Sequence, residues 1–97
     1  MATYIALCKY TAEGIKAIKD APKRIDKGKA LLRKLGGSIE GVYLTFGGYD
    51  VVAVYDLPDD EAAATFALML GRSGAVTTTT LKAFPEADYR RLVKGLR

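Results

Sequence analysis

The sequence predicts an α+β domain of the ferredoxin-like kind, with strands and helices in the order βαββαβ. Three observations predict it. Strand-like and helix-like apolar spacing alternate along the chain, a Gly-Gly pair joins two β-rich runs as a hairpin, and capping residues precede the helical segments. That order closes into a four-stranded antiparallel sheet with helices packed on one face.

Residues 3–10, Thr-Tyr-Ile-Ala-Leu-Cys-Lys-Tyr, are rich in β-branched and aromatic side chains and form the first strand. Thr11 suits a helix N-cap with Glu13 in the first turn, so residues 12–19 form a short helix that Gly14 weakens. Asp20-Ala21-Pro22 is a break and a restart. Ile25, Gly28, Leu31, Leu32 and Leu35 then recur at helical spacing, with most of the basic side chains opposite them, until Gly36-Gly37 ends the helix.

Residues 38–46 form the second strand, Gly47-Gly48 the turn, and residues 49–56 the third strand. Pro58-Asp59-Asp60-Glu61 opens a helix with carboxylates at its positive end. Ala63, Phe66 and Leu70 make its buried stripe, beside Met69, and Gly71 or Gly74 closes it. The β-branched residues 75–84 are the fourth strand. After Pro85 a terminal helix runs from Glu86 to about Lys94, with Tyr89, Leu92 and Val93 on its apolar edge.

Residues 1–97 make a single domain, and an apolar fraction of 49% argues for a folded core. The net charge of +4 comes mainly from residues 23–34 and 90–97 and permits anionic ligands without requiring them. No apolar run is long enough to span a bilayer, and the N-terminus reads as a strand, so a cytoplasmic location without membrane attachment is expected. The chain has no His, Trp, Asn or Gln. Imidazole bases, Ser-His and Cys-His nucleophiles and His-ligated metals are thereby excluded, and no cofactor is expected. The lone Cys8 cannot form an intramolecular disulfide and reads as an inert buried thiol.

Both faces of the sheet read as apolar. The third strand runs Val51-Val52-Ala53-Val54-Tyr55, and the first places Ile5 and Leu7 on one face, with Tyr4, Ala6, Cys8 and Tyr10 on the other. An antiparallel sheet wet on one face would alternate more cleanly. A second copy of the chain, sheet against sheet, is the expected cover, giving a homodimer or higher homo-oligomer. The alternative cover is the C-terminal helix. The tyrosines are expected on the face away from the helices.

The chain resembles the GYD-domain family, small bacterial proteins of the dimeric α/β-barrel superfamily. The residues that carry the resemblance are Thr11-Ala12-Glu13-Gly14-Ile15-Lys16, Ala21-Pro22-Lys23-Arg24, the stretch from Val42 through Gly48-Tyr49-Asp50 to Val52, Pro58-Asp59-Asp60-Glu61-Ala62, and residues 80–84. The resemblance implies two sheets meeting as a barrel across a dimer interface. The superfamily includes cofactor-free monooxygenases, haem-degrading enzymes, lactone isomerases and plain ligand-binding domains, so the fold does not select an activity.

Asp50 is a candidate general base or ligand anchor, or else an acceptor for turn and neighbouring-strand N–H groups. Tyr49 is a candidate hydroxyl donor, or else the cross-strand partner of Phe46. Arg24, in the first turn of the main helix, can grip a carboxylate or phosphate or can be a solvated charge. Tyr4, Tyr10, Tyr43, Thr78 and Thr80 are expected to line an amphipathic cleft on the open face, suited to an aromatic or polyketide-like molecule, although interface packing explains them too. The basic helix face is read as solvated, because the strands lack the stacking aromatics of an RNA-binding sheet; this argues against nucleic acid. The first reading of function is a small-molecule binding or sensing module. The alternative is a cofactor-independent monooxygenase or isomerase using Asp50 and Tyr49, followed by a ligand-free assembly protein.

Overall fold

Thr11 ends the first strand as its backbone turns into a helix: its hydroxyl accepts from the Gly14 N–H at 3.0 Å and donates to the Gly74 carbonyl at 2.6 Å. The computed structural model describes all of residues 1–97. Its elements are β1 (Ala2–Tyr10), α1 (Ala12–Lys16), a 3₁₀ turn (Ile18–Asp20), α2 (Ala21–Lys34), β2 (Ser38–Leu44), β3 (Val51–Leu57), α3 (Asp60–Arg72), β4 (Val76–Ala83) and α4 (Glu86–Lys94). The four strands form one antiparallel sheet in the order β2-β3-β1-β4. This is the expected ferredoxin-like arrangement, with α2 and α3 on one face.

Local chemistry sets the helix ends. Asp59 caps α3 by accepting from the Ala62 N–H at 2.9 Å, and Asp60 and Glu61 occupy its first turn, where the helix dipole favours anions. Gly36, at φ 87°, takes the left-handed conformation that ends α2 and lets the Gly37 N–H reach the Leu32 carbonyl at 2.8 Å. Gly14 has a different purpose from the one its composition suggests. A Cβ there would collide with the Ala75 carbonyl, so its glycine allows α1 to sit against the start of β4.

The core lies between the sheet and α2–α3. Tyr4, Ala6 and Cys8 of β1, Tyr55 and Leu57 of β3, Leu32 of α2, and Ala63 and Phe66 of α3 form one buried cluster. Tyr55 stacks on Tyr4 with ring centroids 6.2 Å apart and meets Phe66 edge-on at 4.9 Å. Burying a side chain such as Leu32 contributes about 1.5–3 kcal/mol.

Several details differ from the sequence reading. β2 stops at Leu44 and β3 starts at Val51, and the Thr45 N–H bonds to the Asp50 carbonyl at 2.8 Å. The connection is thus the loop 46–49 and not a two-residue Gly-Gly turn. Phe46 stands fully exposed and makes no pair with Tyr49. Gly47 adopts φ 118° within that longer loop. The first helix is shorter than residues 12–19 and continues as the 3₁₀ turn.

The main correction concerns the faces. Tyr4, Ala6, Cys8 and Tyr10 point toward the helices, with Thr78 and Thr80 beside them in register, because Cys8 pairs with Thr78 and Ala6 with Thr80. The open face carries Ile5 and Leu7 of β1, Val52 and Val54 of β3, Leu81 of β4 and Tyr43 of β2. α4 does not seal it: α4 buries none of its residues, and Tyr89, Leu92 and Val93 stay exposed. The radius of gyration of 14.5 Å accordingly exceeds the roughly 13 Å of a compact domain of this length. No helix is long and apolar enough to cross a membrane.

Candidate functional site

A cavity of about 400 Å³ opens between the sheet and the two long helices. Small side chains on the strands make room for it: Ala6 and Cys8 of β1 and Val51 and Ala53 of β3 line the sheet side. Ile25, Leu31 and Leu32 of α2 and Phe66, Met69 and Leu70 of α3 line the helix side. Tyr10 closes the end of β1, and Arg24, Lys27 and Lys29 supply the charged groups. Cavities of this size and apolar character hold small organic molecules.

Arg24 is held in place by the backbone of α1. Its Nη1 donates to the Ala17 carbonyl at 3.1 Å and its Nη2 to the Gly14 carbonyl at 3.4 Å. A cation suits these carbonyls at the helix C-terminus. The Cys8 thiol is buried, and desolvation pushes its pKa up, so it remains a neutral thiol.

The residues singled out from sequence are divided by the fold. Tyr10 and Arg24 meet at the cavity. Tyr4 lies deeper in the core and donates its hydroxyl to Asp60 Oδ1 at 2.6 Å, while Lys82 Nζ sits 3.0 Å from the same oxygen. Burial first, then the Asp60 bond, pushes the Tyr4 pKa up to about 12. Asp60 in turn is lowered by the Tyr4 and Lys82 contacts. Tyr4 therefore ties β1 to α3 and β4.

Thr78 and Thr80 are on the helix side but outside the cavity wall. The Tyr55 and Thr80 hydroxyls approach one another in the core without reaching bonding geometry, so both are buried without a partner. Desolvation pushes Tyr55 up to about 12. Tyr43 lies on the opposite face, its ring over Gly41. On that face the neighbouring Asp56 carboxylate raises the Glu40 pKa, and Thr3 donates to Asp56 Oδ1 at 2.7 Å.

Asp50 and Tyr49 lie beyond the cavity. Asp50 Oδ2 accepts from the Tyr10 N–H at 2.9 Å, and the Asp50 N–H donates to the Cys8 carbonyl at 2.8 Å. The first of these bonds gives the carboxylate a neighbouring-strand N–H to accept from. The Tyr49 ring receives the Lys9 ammonium 5.9 Å from its centroid. No three His, Cys, Asp or Glu side chains gather to hold a metal.

Sequence reasoning missed Lys27, Lys29 and Cys8 as cavity residues, and assigned Gly28 only to the apolar stripe of α2. A glycine at a core-facing position in a helix interior was the available signal.

A ferredoxin-like sheet with helices packed on one face and an apolar cleft beneath them places the chain among small α+β domains. More narrowly, the chain belongs to the GYD domain family, whose pattern matches residues 4–93. A relative from Thermus thermophilus, described as "Glutamine synthetase and cystathionine beta-lyase binding protein", is 35% identical over 89 residues, covering 91% of this chain and 94% of the relative. No solved structure gives a significant match.

Proposed function

We propose that the chain is a binding or sensing module that takes up a small, largely apolar molecule between its sheet and α2–α3. The cavity of about 400 Å³ carries this reading: its walls are mostly apolar, and no Asp or Glu lines them. The expected ligand site is thus moved from the open sheet face to the covered one. A thermal-shift screen of small apolar molecules tests it. A ligand present at about a hundred times its Kd adds roughly 2.7 kcal/mol to stability, and absence of any shift overturns the reading.

The monooxygenase or isomerase alternative has weaker support, since Asp50 is spent on the Tyr10 N–H and lines no cavity. The proposal includes a second copy against the open sheet face. Its support is the apolar row Leu7, Val52 and Tyr43 beside Ile5, Val54 and Leu81, with Tyr43 57% and Leu81 45% exposed. Sedimentation at high concentration checks it, and a persistent monomer counts against it.

A second reading is favoured by the description of the Thermus relative: this chain docks on partner enzymes of the kinds named there. Titration calorimetry with purified glutamine synthetase and with cystathionine beta-lyase is the test, and no heat with either removes the reading.

A further inference from the structure

We propose that the occupant of the cavity is an amphiphile with an apolar body and one anionic head, bound with its head at Arg24 and Lys27, which lie three residues apart on one face of α2; this rests on the cleft reading above. Two independent observations carry it. The first is charge. Every ionisable side chain that lines the cavity with a formal charge is a cation, and no Asp or Glu lines it. None of Arg24, Lys27 and Lys29 has a carboxylate within ion-pair distance, because the ion pairs of the chain join Lys82 to Asp60, Arg90 to Glu86 and Arg91 to Asp88. Arg24 gives two N–H groups to backbone carbonyls and keeps others free, on a guanidinium already fixed in place. A positioned guanidinium in a cleft of low polarity favours a carboxylate or phosphate.

The second observation is Gly28, in the interior of α2 and in the cavity wall. A Cβ added there meets nothing within 4 Å, and its φ is not positive, so neither packing nor backbone conformation requires glycine. Glycine inside a helix costs about 1 kcal/mol relative to alanine. Gly14 is a useful contrast, since the Ala75 carbonyl explains it. At Gly28 the omitted side chain widens the cavity, and that space fits the body of a ligand.

Head and body make separate demands, so the experiment has separate arms. Binding of decanoate, decyl phosphate and decanol is measured by calorimetry and thermal shift on the unmodified protein. Decanoate, decyl phosphate or both are expected to bind about tenfold more tightly than decanol. The tighter of the two anions identifies the head. Gly28→Leu is expected to abolish binding while the melting temperature of the unligated protein holds or rises. Arg24→Gln is expected to weaken the anions about tenfold and leave decanol unchanged. Because Arg24 also closes α1, Lys27→Gln repeats the charge test without that contact.

Equal affinity for decanol and the anions overturns the anionic head and leaves the cleft reading intact. Undiminished binding in a folded Gly28→Leu protein places the site elsewhere and overturns both. Failure of all the probes to bind overturns this inference, and the wider screen of apolar molecules then decides the cleft reading by itself.

Discussion

Along β1, Tyr4, Ala6 and Cys8 are buried under the helices, while Ile5 and Leu7 between them lie half-buried on the other side of the same strand. By hydrophobicity alone the second set is the better core. The difference is one of size and of neighbours. On the covered face Ala6 faces Ala53 across the strands, and this low centre gives α2, α3 and the cavity their space. Large aromatic groups are kept to one end, where Tyr4, Tyr55 and Phe66 pack together. The open face carries instead Ile5, Leu7, Val52, Val54 and Leu81 across its centre, with Tyr43 toward one edge and no low centre of paired alanines. A sheet thus distinguishes its two faces by relief as well as by polarity.

The largest expected effect that tests this contrast comes from truncation on each side. Phe66→Ala removes a core aromatic and is expected to cost about 3–5 kcal/mol in chemical denaturation. Leu81→Glu on the open face is expected to leave folding within about 0.5 kcal/mol but to shift sedimentation toward monomer. Comparable losses of stability for the two changes would erase the distinction between the faces.

A smaller effect separates the two stacked tyrosines. Tyr4→Phe deletes a hydroxyl that bonds to Asp60 and is expected to destabilise by about 1 kcal/mol. Tyr55→Phe deletes a hydroxyl without a partner and is expected to be neutral or stabilising by up to about 1 kcal/mol. Equilibrium denaturation of both variants under one condition reads the difference directly.

The smallest effect is in the pH dependence. The Asp60 pKa lies below its ordinary 3.8, so its contribution is complete above that value and is lost as pH falls through the lower folded-state pKa. Asp60→Asn is expected to flatten that acid limb. For Tyr4 the sign is opposite: its pKa rises from 10.0 to about 12, so its contribution holds below 10 and fades as pH climbs toward 12. Melting curves across both limits, for the parent and for Asp60→Asn, check the two signs.

The strand and helix order was legible because each element carries its own local signal. Thr11 and Asp59 are cap residues, Gly36 ends a helix, and Val51 to Tyr55 can scarcely be anything but a strand. The assignment of faces was not legible in the same way. Period-two alternation separates Ile5 and Leu7 from Tyr4, Ala6 and Cys8, yet it does not say which set the helices will cover. That choice is made by long-range packing, through Leu32 and Phe66. The loop after β2 escaped for a similar reason: the bond from the Thr45 N–H to the Asp50 carbonyl sets its length, and Gly-Gly alone does not. Of the candidate residues, Tyr10 and Arg24 line the cavity, whereas Tyr43 lies on the other face and Thr80 in the core. A cavity depends on how far helices stand off a sheet, and no single residue announces that distance.

Cys8 is the chain's one sulfhydryl, and it faces the hollow from the middle of β1. A slow alkylating reagent must wait for that chamber to breathe before it can react. The labelling rate therefore works as an intrinsic clock for the opening of the interior, and any guest lodged inside would make the clock run slower.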